Sequence, residues 1–408
     1  MGSFHSGRTA VRGAFGVFEV LPLTYEFGNA VYSVAPFFQL ATISSGLPQG
    51  SFPATAFTLL TPNQLCYEYI DLHPKRNYVM NWNLNIQQQF GNNLVVTIAS
   101  AGSHGVHEPF QVQDMDIALP TSHTSAGYSW PTPAGSGVRI NQNAGQIIGV
   151  LWNGSSFYDA LQTHIVQRMT KSLQFGVSHT WAKSIDTSSA SVAGNQFLNS
   201  VFNLPWFDAN LNRGLSDFDI RHNAVFNAIW QIPSPRDGNG LRWFASGWQT
   251  GGIYQVSSGL PFTPMIGEDP LGLKSAYPFD FPDRIFGPGC NSAVNPDDPL
   301  HYIKTQCFSF PTPATRMGNA GRNSLIGPGL SNFDLSLFKN NYIKRISESF
   351  NIQFRSEFFN VLNHPNFSPP VINSTLFGAD GAAVTTAGLI TATSIPSRQP
   401  QFAVKILW

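Results

Sequence analysis

The chain has 408 residues, and its 23 Lys and Arg balance its 23 Asp and Glu, so the formal net charge is zero. Charged residues make up 11%, less than half the ~25% usual for soluble domains, and mean hydropathy is −0.07 although 42% of the residues are hydrophobic. That balance excludes a charged disordered tail, a coiled coil and a basic nucleic-acid binder, while 33 Phe, 36 Gly and 29 Pro favour β-structure.

No apolar run reaches the ~18 residues of a transmembrane helix. The opening MGSFHSGRTAVRGAFGVF lacks the charged start, apolar stretch and cleavage site of a signal peptide. Either the protein stays in the cytoplasm or this is not its natural start.

Residues 11–18 alternate weakly, and residues 30–38 allow a second strand. The clearest alternation follows, with Met80, Trp82, Leu84 and Ile86 against Asn81, Asn83, Asn85 and Gln87. A strand sorts such residues to opposite faces, whereas a helix would scatter them. Gly91-Asn92-Asn93 makes a tight turn into a strand over residues 94–99. A Gly/Pro/Ser/Asn-rich segment, 105–156, leads to a strand at 161–168 and a tight turn at 170–172. Leu173, Phe175 and Val177 then oppose Gln174, Gly176 and Ser178. His179 continues their apolar face toward Trp181, which puts it near the outer rim or marks a slip of register.

After a second long segment, 184–220, strands at 221–232 and 248–257 flank a modest connection at 233–245. The longest segment, 260–330, precedes a strand at 333–339 and a connection at 340–349. Phe350, Ile352, Phe354 and Phe358 then oppose Asn351, Gln353, Arg355 and Glu357. Beyond segment 363–397 the chain closes with Phe402, Val404, Ile406 and Trp408 opposite Gln401, Ala403 and Lys405.

These make about eleven strands, many near the 9–11 residues that cross a bilayer when tilted. Long structureless loops are uncommon in a compact soluble domain. Alternating with short turns, they match a transmembrane β-barrel with short periplasmic turns and long extracellular loops. The polar face carries Asn, Gln, Ser and Gly rather than the Lys and Glu of a water-facing sheet. An apolar exterior around a polar interior therefore explains both the low charge and the modest hydropathy. Trp82, Trp181, Trp230, Trp248 and Trp408 are candidates for interfacial girdles. The terminal stripe Phe402, Val404, Ile406 and Trp408 looks like the signal read by the bacterial barrel-assembly machinery.

Chemistry finds little support. Ser216, Asp217 and His222 are the residue types of a hydrolase triad, but they lie along one loop and strand, and no G-x-S-x-G elbow occurs. Asp208, Asp217 and Asp219 form no calcium loop, and His104 and His107 have no carboxylate pair beside them. The glycine runs 318–321 and 327–329 lack the GK[ST] ending of a phosphate loop. Arg322 between them is a candidate to pair a loop carboxylate or touch ligand. No catalytic residue, cofactor or metal is expected. Arg355 and Glu357, with Lys405, are the candidates for lumen-facing charge, set for mutual neutralisation, for docking a plug or for solvating a wet wall. Of three cysteines, Cys290 and Cys307 are near enough in sequence to pair, leaving Cys66 over; such a disulfide would contribute ~3 kcal/mol by loop closure.

Several runs, in order, resemble the Oar-like TonB-dependent outer-membrane receptors: Trp181-Ala182-Lys183-Ser184-Ile185-Asp186, and Arg213-Gly214-Leu215-Ser216-Asp217-Phe218-Asp219-Ile220-Arg221-His222. Ser258-Gly259-Leu260-Pro261-Phe262-Thr263, Gly318-Asn319-Ala320-Gly321-Arg322-Asn323 and Asp334-Leu335-Ser336-Leu337-Phe338-Lys339-Asn340 follow. Then comes the run from Phe354-Arg355-Ser356-Glu357-Phe358-Phe359-Asn360 to His364-Pro365-Asn366-Phe367, while Ala10-Val11-Arg12-Gly13-Ala14-Phe15-Gly16-Val17-Phe18 resembles a mid-barrel strand.

The resemblance implies a 22-stranded barrel in a Gram-negative outer membrane, an internal plug, an N-terminal carboxypeptidase-regulatory-like sandwich and energy from TonB. Sandwich, TonB box and plug are not recognisable here, and an odd count near eleven cannot close an all-antiparallel barrel. Residues 1–408 are accordingly expected to be the C-terminal part of such a barrel, about half its strands. The implied function is uptake of an unidentified extracellular ligand, with lipid, the assembly machinery and TonB as partners. A passive porin or surface adhesin is the alternative; a soluble β-rich hydrolase is the third reading.

Overall fold

The computed structural model describes residues 2–3, 7–21, 24–25, 27–28, 38–40, 46–61, 64–170, 172–191, 203, 205–234 and 244–408. Ten long strands form one antiparallel sheet in chain order. They are β1 (Thr9–Glu19), β2 (Tyr78–Phe90), β3 (Leu94–Val112), β4 (Gln146–Thr170) and β5 (Leu173–Asp186). The series continues with β6 (His222–Gln231), β7 (Trp248–Ser257), β8 (Leu330–Tyr342), β9 (Asn351–Phe359) and β10 (Gln399–Leu407). Three short strands join its margins: Gly2–Ser3 on β1, Gly214–Leu215 on β5, and Cys66–Ile70 running parallel to the start of β4.

Register shows why the alternation matters. Directly paired residues share a face, so one face can be traced strand by strand. Phe15 pairs with Trp82, Ile86 with Ile98, and Val96 with Ile165. Ile165 pairs with Val177, Val177 with Phe226, and Phe226 with Tyr254. Tyr254 meets Phe333, Leu335 meets Phe358, and Phe354 meets Val404. This apolar stripe crosses all ten strands without a break. It is also exposed: Phe15, Leu84, Ile98, Trp181, Phe226, Phe354 and Val404 leave 44–68% of their surface open. The opposite face carries Asn83, Gln162, Asn227, Gln249, Gln255 and Gln353.

The strand ends joined by 91–93 and 343–350 lie at one end of the sheet, with the β4/β5 and β6/β7 ends that flank 171–172 and 232–247 at the same end. Gly91, at φ 58°, supplies the left-handed residue that the turn at 91–93 needs. Trp230 and Trp248 lie beside that end, as does Trp408, whereas Trp82 and Trp181 sit toward the other, on the same apolar face. The five tryptophans thus fall at two levels, as interfacial girdles do. His179 also holds the apolar register, paired with Thr163 and Ala224, so the strand does not slip there.

Three sequence expectations change. The possible strand at 30–38 lies, but for its last residue, outside the described residues; among the described residues β1 pairs directly with β2 and the long strands number ten. An even count leaves β1 and β10 antiparallel; among the described residues they are not paired to each other. Second, β3 has 19 residues and β4 has 25, against expected strands over 94–99 and 161–168. At ~3.3 Å per residue β4 rises well beyond a bilayer. The alternation fades there because that part of the strand is covered by protein: Phe110, Val112, Val150 and Trp152 are all buried.

Third, the long segments are packed, not structureless. They hold the main apolar cluster, in which Ile117, Trp130, Phe262, Leu271, Phe279, Tyr302, Ile303 and Leu376 are nearly sealed from solvent. Small pairings knit the segments together, Pro261–Phe262 with Leu325–Ile326 and Asp283–Arg284 with Phe308–Ser309. Met265 and Ile266 run parallel to Thr375–Phe377, linking loops about a hundred residues apart. Each large apolar side chain buried this way contributes ~1.5–3 kcal/mol. The hydrophobic core of the molecule is in its cap.

Candidate functional site

Two surfaces concentrate the polar chemistry: the inner face of the wall and the base of the cap. On the wall, Arg355 stands 3.8 Å from Glu357, and its guanidinium lies 4.7 Å over the Phe338 ring. The two charges sit beside one another on β9, where they neutralise each other. Lys405 pairs in register with Gln353 on the same face. Asn351 and Gln353 both donate to Asn340 Oδ1 at 2.9 Å, so this part of the surface is a ladder of neutral amides beside the Arg355–Glu357 pair. A groove on this face is lined by Gln174, Asn227, Gln249, Asp334, Ser336 and Glu357 together with the apolar Ile229, Ile253, Phe338 and Phe359.

At the cap base, Arg322 is 5% exposed and satisfied on all sides. Its guanidinium pairs with Asp186 and, at 3.0 Å, with Asp217. It also donates to the Asn212 carbonyl at 2.8 Å and to Ser189 Oγ at 3.2 Å. Asn323 adds bonds to Asp217 Oδ1 and the Leu215 carbonyl, each 2.7 Å, and its backbone N–H donates to Thr263 Oγ1. Gly214 makes the close approach possible, because a Cβ there would stand 2.5 Å from the Arg322 carbonyl oxygen. Asp219 accepts from the Ser184 backbone N–H at 2.6 Å, and the Ser184 and Ser216 hydroxyls bond at 2.7 Å. The 213–222 and 318–323 motifs are thus two halves of one buried junction.

This junction disposes of the triad geometry. Ser216 faces Ser184, Asp217 faces Arg322, and the His222 ring faces His179 Nε2 at 3.3 Å. Asp208 caps the short helix Ala209–Asn212 and accepts from Tyr128 Oη at 2.8 Å, so it does not join Asp217 and Asp219. His104 contacts the Ser156 carbonyl and His107 the Arg76 carbonyl.

Higher in the cap, Cys290 and Cys307 are disulfide-bonded with Cα atoms 5.4 Å apart, an ordinary separation for a bridge; Cys66 is free. Burial pushes the Asp280 carboxyl well above its usual range, partly offset by the Phe281 and Gly318 backbone N–H groups. Burial likewise raises Asp114, which Ser275 and Arg139 counter. The Tyr302 hydroxyl is pushed up to about 12 by burial and donates to the Ile326 carbonyl at 2.9 Å. Sequence reading missed Asp114 and Asp280, which no motif marks, and gave Asp186 no role although it ends the Trp181–Asp186 run, because its partner Arg322 lies far along the chain.

An apolar stripe turned outward, a polar face turned inward and a packed cap at one end define a membrane-spanning β-barrel wall. The family model described as outer membrane beta barrel domain matches residues 3–401, and the chain belongs to that family. Its place is the outer membrane of Gram-negative bacteria. No curated protein matches it. Among solved structures it is similar to a mutant of the ferric enterobactin receptor of Pseudomonas aeruginosa, at 9% identity and TM-score 0.45, covering 99% of this chain and 39% of that one. The copper transporter OprC matches at 10% identity and TM-score 0.39, covering 98% and 37%. The FrpB iron transporter of Neisseria meningitidis matches at 10% identity and TM-score 0.36, covering 83% and 32%. The chain spans less than two fifths of each of these solved chains.

Proposed function

We propose that this chain is the C-terminal barrel part of an Oar-like, TonB-dependent outer-membrane transporter, taking up a ligand that docks on the cap. The observation that carries the reading is the polar inner face. It is lined by neutral amides, scattered apolar side chains and a few charges, of which Arg355 and Glu357 pair, rather than by the strongly charged ring of an ion-selective pore, and it stands beneath a packed, disulfide-bonded cap. A ligand captured there meets a wall that offers hydrogen bonds without trapping it by charge. The runs that resemble Oar-like receptors lie along the wall and the cap base. Among the described residues, the outer edge of β1 beyond its short Gly2–Ser3 partner and that of β10 have no strand beside them, which supports a partial wall, since open sheet edges do not stand in lipid; residues 1–408 would then need further strands, and a plug to engage TonB. The Phe402, Val404, Ile406 and Trp408 stripe is the handle for the barrel-assembly machinery. No bond is made or broken in this function, so no catalytic residue is invoked.

The test uses the full gene product in cells and in planar bilayers. Formaldehyde cross-linking to TonB together with no standing conductance is the expected result. A persistent open channel with no TonB adduct would instead establish a passive pore.

A further inference from the structure

One irregularity in β3 redirects a charge. Even-numbered residues up to Val106 hold the outward register, since Val96 pairs with Ile165 and Gly102 with Trp82. Strict alternation would turn Glu108 outward as well. Instead the register shifts between Val106 and Glu108, and His107 is left without a partner on β4. Glu108 then pairs with Gly154, which continues the inner register of Ser156 and Tyr158. His107 takes φ 54°, a left-handed conformation rare outside glycine and strained in most other residues. Gly105 leaves the room, because a Cβ there would stand 2.2 Å from the Glu108 carboxyl carbon. A bulge of this kind re-aims a side chain, and here it brings a carboxylate to the inner face.

Glu108 is aimed into a cavity of about 370 Å³, within the ~300–1,000 Å³ usual for small-molecule sites. Ser103, Ser156 and Tyr158 of the wall line it, as do Ser184 and Ser216 of the cap junction and the half-exposed Phe218. Ser156 donates to the Glu108 carboxylate. The Ser184 and Ser216 hydroxyls share one bond of 2.7 Å, so the pair keeps a hydrogen to donate and lone pairs to accept. No Lys or Arg is among the lining residues, and the second carboxylate, Asp186, is held by Arg322 and by Ser189 at 2.7 Å. An anion entering the cavity would therefore meet Glu108 with no cation to balance it. An ammonium group would suit Glu108 but has no acceptor for the serine protons. A neutral ligand whose hydroxyls both donate and accept matches the whole lining.

We propose that this cavity binds a neutral saccharide. Glu108 accepts from a pair of its hydroxyls, Ser103, Ser156 and the Ser184–Ser216 pair complete the hydrogen bonding, and Phe218 lies against the C–H face of the ring. The cavity is on the inner face, away from lipid, so the sugar is a free one rather than part of a glycolipid. The proposal rests on the transporter reading, of which it names the cargo class. Its test reads sugar binding alone, so failure here leaves the TonB and conductance results untouched.

The full gene product is extracted from outer membranes into lauryldimethylamine oxide, a detergent without a sugar headgroup, and binding is read by saturation-transfer difference NMR. The probes are maltose, cellobiose, lactose and xylobiose, with digalacturonic acid as the acidic counterpart. At least one neutral disaccharide is expected to bind, about tenfold more tightly than the diacid, because Glu108 repels like charge. Glu108→Gln is expected to narrow that preference by removing the repulsion, and Ser103→Trp to abolish the signal by filling the cavity. Lys344→Gln, at the short-turn end, should behave as wild type. Saturation transfer to none of the four neutral sugars overturns the proposal, as does equal binding of the diacid by wild type, and neither outcome depends on how a variant folds. Undiminished binding by Ser103→Trp would overturn it too, by placing the sugar elsewhere.

Discussion

Arg322 holds the cap to the wall with one guanidinium between two carboxylates, Asp186 and Asp217. Removing one partner of a buried pair leaves uncompensated charge, at a cost of ~3–5 kcal/mol. Arg322→Leu is therefore expected to free the cap while the wall persists, seen as rapid protease cleavage within 184–220 and 260–330 beside an intact membrane core. Unchanged protease resistance would show that the apolar cluster alone seats the cap. Arg322→Lys should rescue only in part, because an ammonium cannot reach both carboxylates and the Asn212 carbonyl in one plane. Asp280 behaves oppositely. Its Oδ2 has no hydrogen-bond partner among the described residues, and burial raises its pKa well above the usual range. The folded state therefore holds a proton that the unfolded state releases, so stability is full below the ordinary carboxylate pKa and falls as pH rises from there through the raised folded value. Asp280→Asn should flatten that fall and gain on wild type at pH 8 relative to pH 5, in urea unfolding followed by cap fluorescence. A parallel pH slope in the two proteins would remove Asp280 as its source.

At the scale of elements, what the sequence could disclose was set by how local the physics is. Met80, Trp82, Leu84 and Ile86 announce β2 because one residue in two faces lipid, and the same rule found all ten wall strands at their membrane-crossing portions. It could not find the upper halves of β3 and β4, where Phe110 and Trp152 are covered by protein and both faces become mixed. The cap was hidden for another reason. Phe262, Phe279, Tyr302 and Leu376 follow no period, and their partners are loops rather than neighbours in sequence. Arg322 was legible as a residue worth pairing, but neither Asp186 nor Asp217 could be chosen from composition. The cysteines differ, since two of three lying close together in a long loop were enough to suggest the bridge the structure contains. Closing that loop contributes ~3 kcal/mol in the chain-entropy account. Cys290→Ser/Cys307→Ser should accordingly lower the unfolding temperature of the cap and leave that of the wall in place. In oxidised outer membranes, both thiols should resist alkylation until reductant is added; ready alkylation without it would dismiss the bridge.

For the whole molecule, the distribution of residues is inverted relative to a soluble protein. The tightly packed core is a cap of Pro- and Gly-rich loops, and the largest apolar surface is the outside of the wall. Low charge follows directly: one face of each strand needs none, and the other is served by Asn, Gln and Ser. Two adjacent residues make the inversion measurable. Leu84 and Asn83 share β2 and differ only in face; Leu84 pairs with Gly13 and Ser100, and Asn83 with Ala14 and Ala101. Leu84 lies well inside the stripe, between Trp82 and the Phe90 turn end, where an Arg facing hydrocarbon costs ~2–4 kcal/mol. Asn83→Arg places the same charge among the amides of the inner face, where water and Gln162 or Asn85 can solvate it. Reversible urea unfolding of each variant from lipid vesicles should give Leu84→Arg a loss in that range and Asn83→Arg a loss under about 1 kcal/mol, the ordinary scale for a solvated surface change. Equal losses would mean that the two faces see the same solvent, and the membrane orientation of the sheet would have to be abandoned.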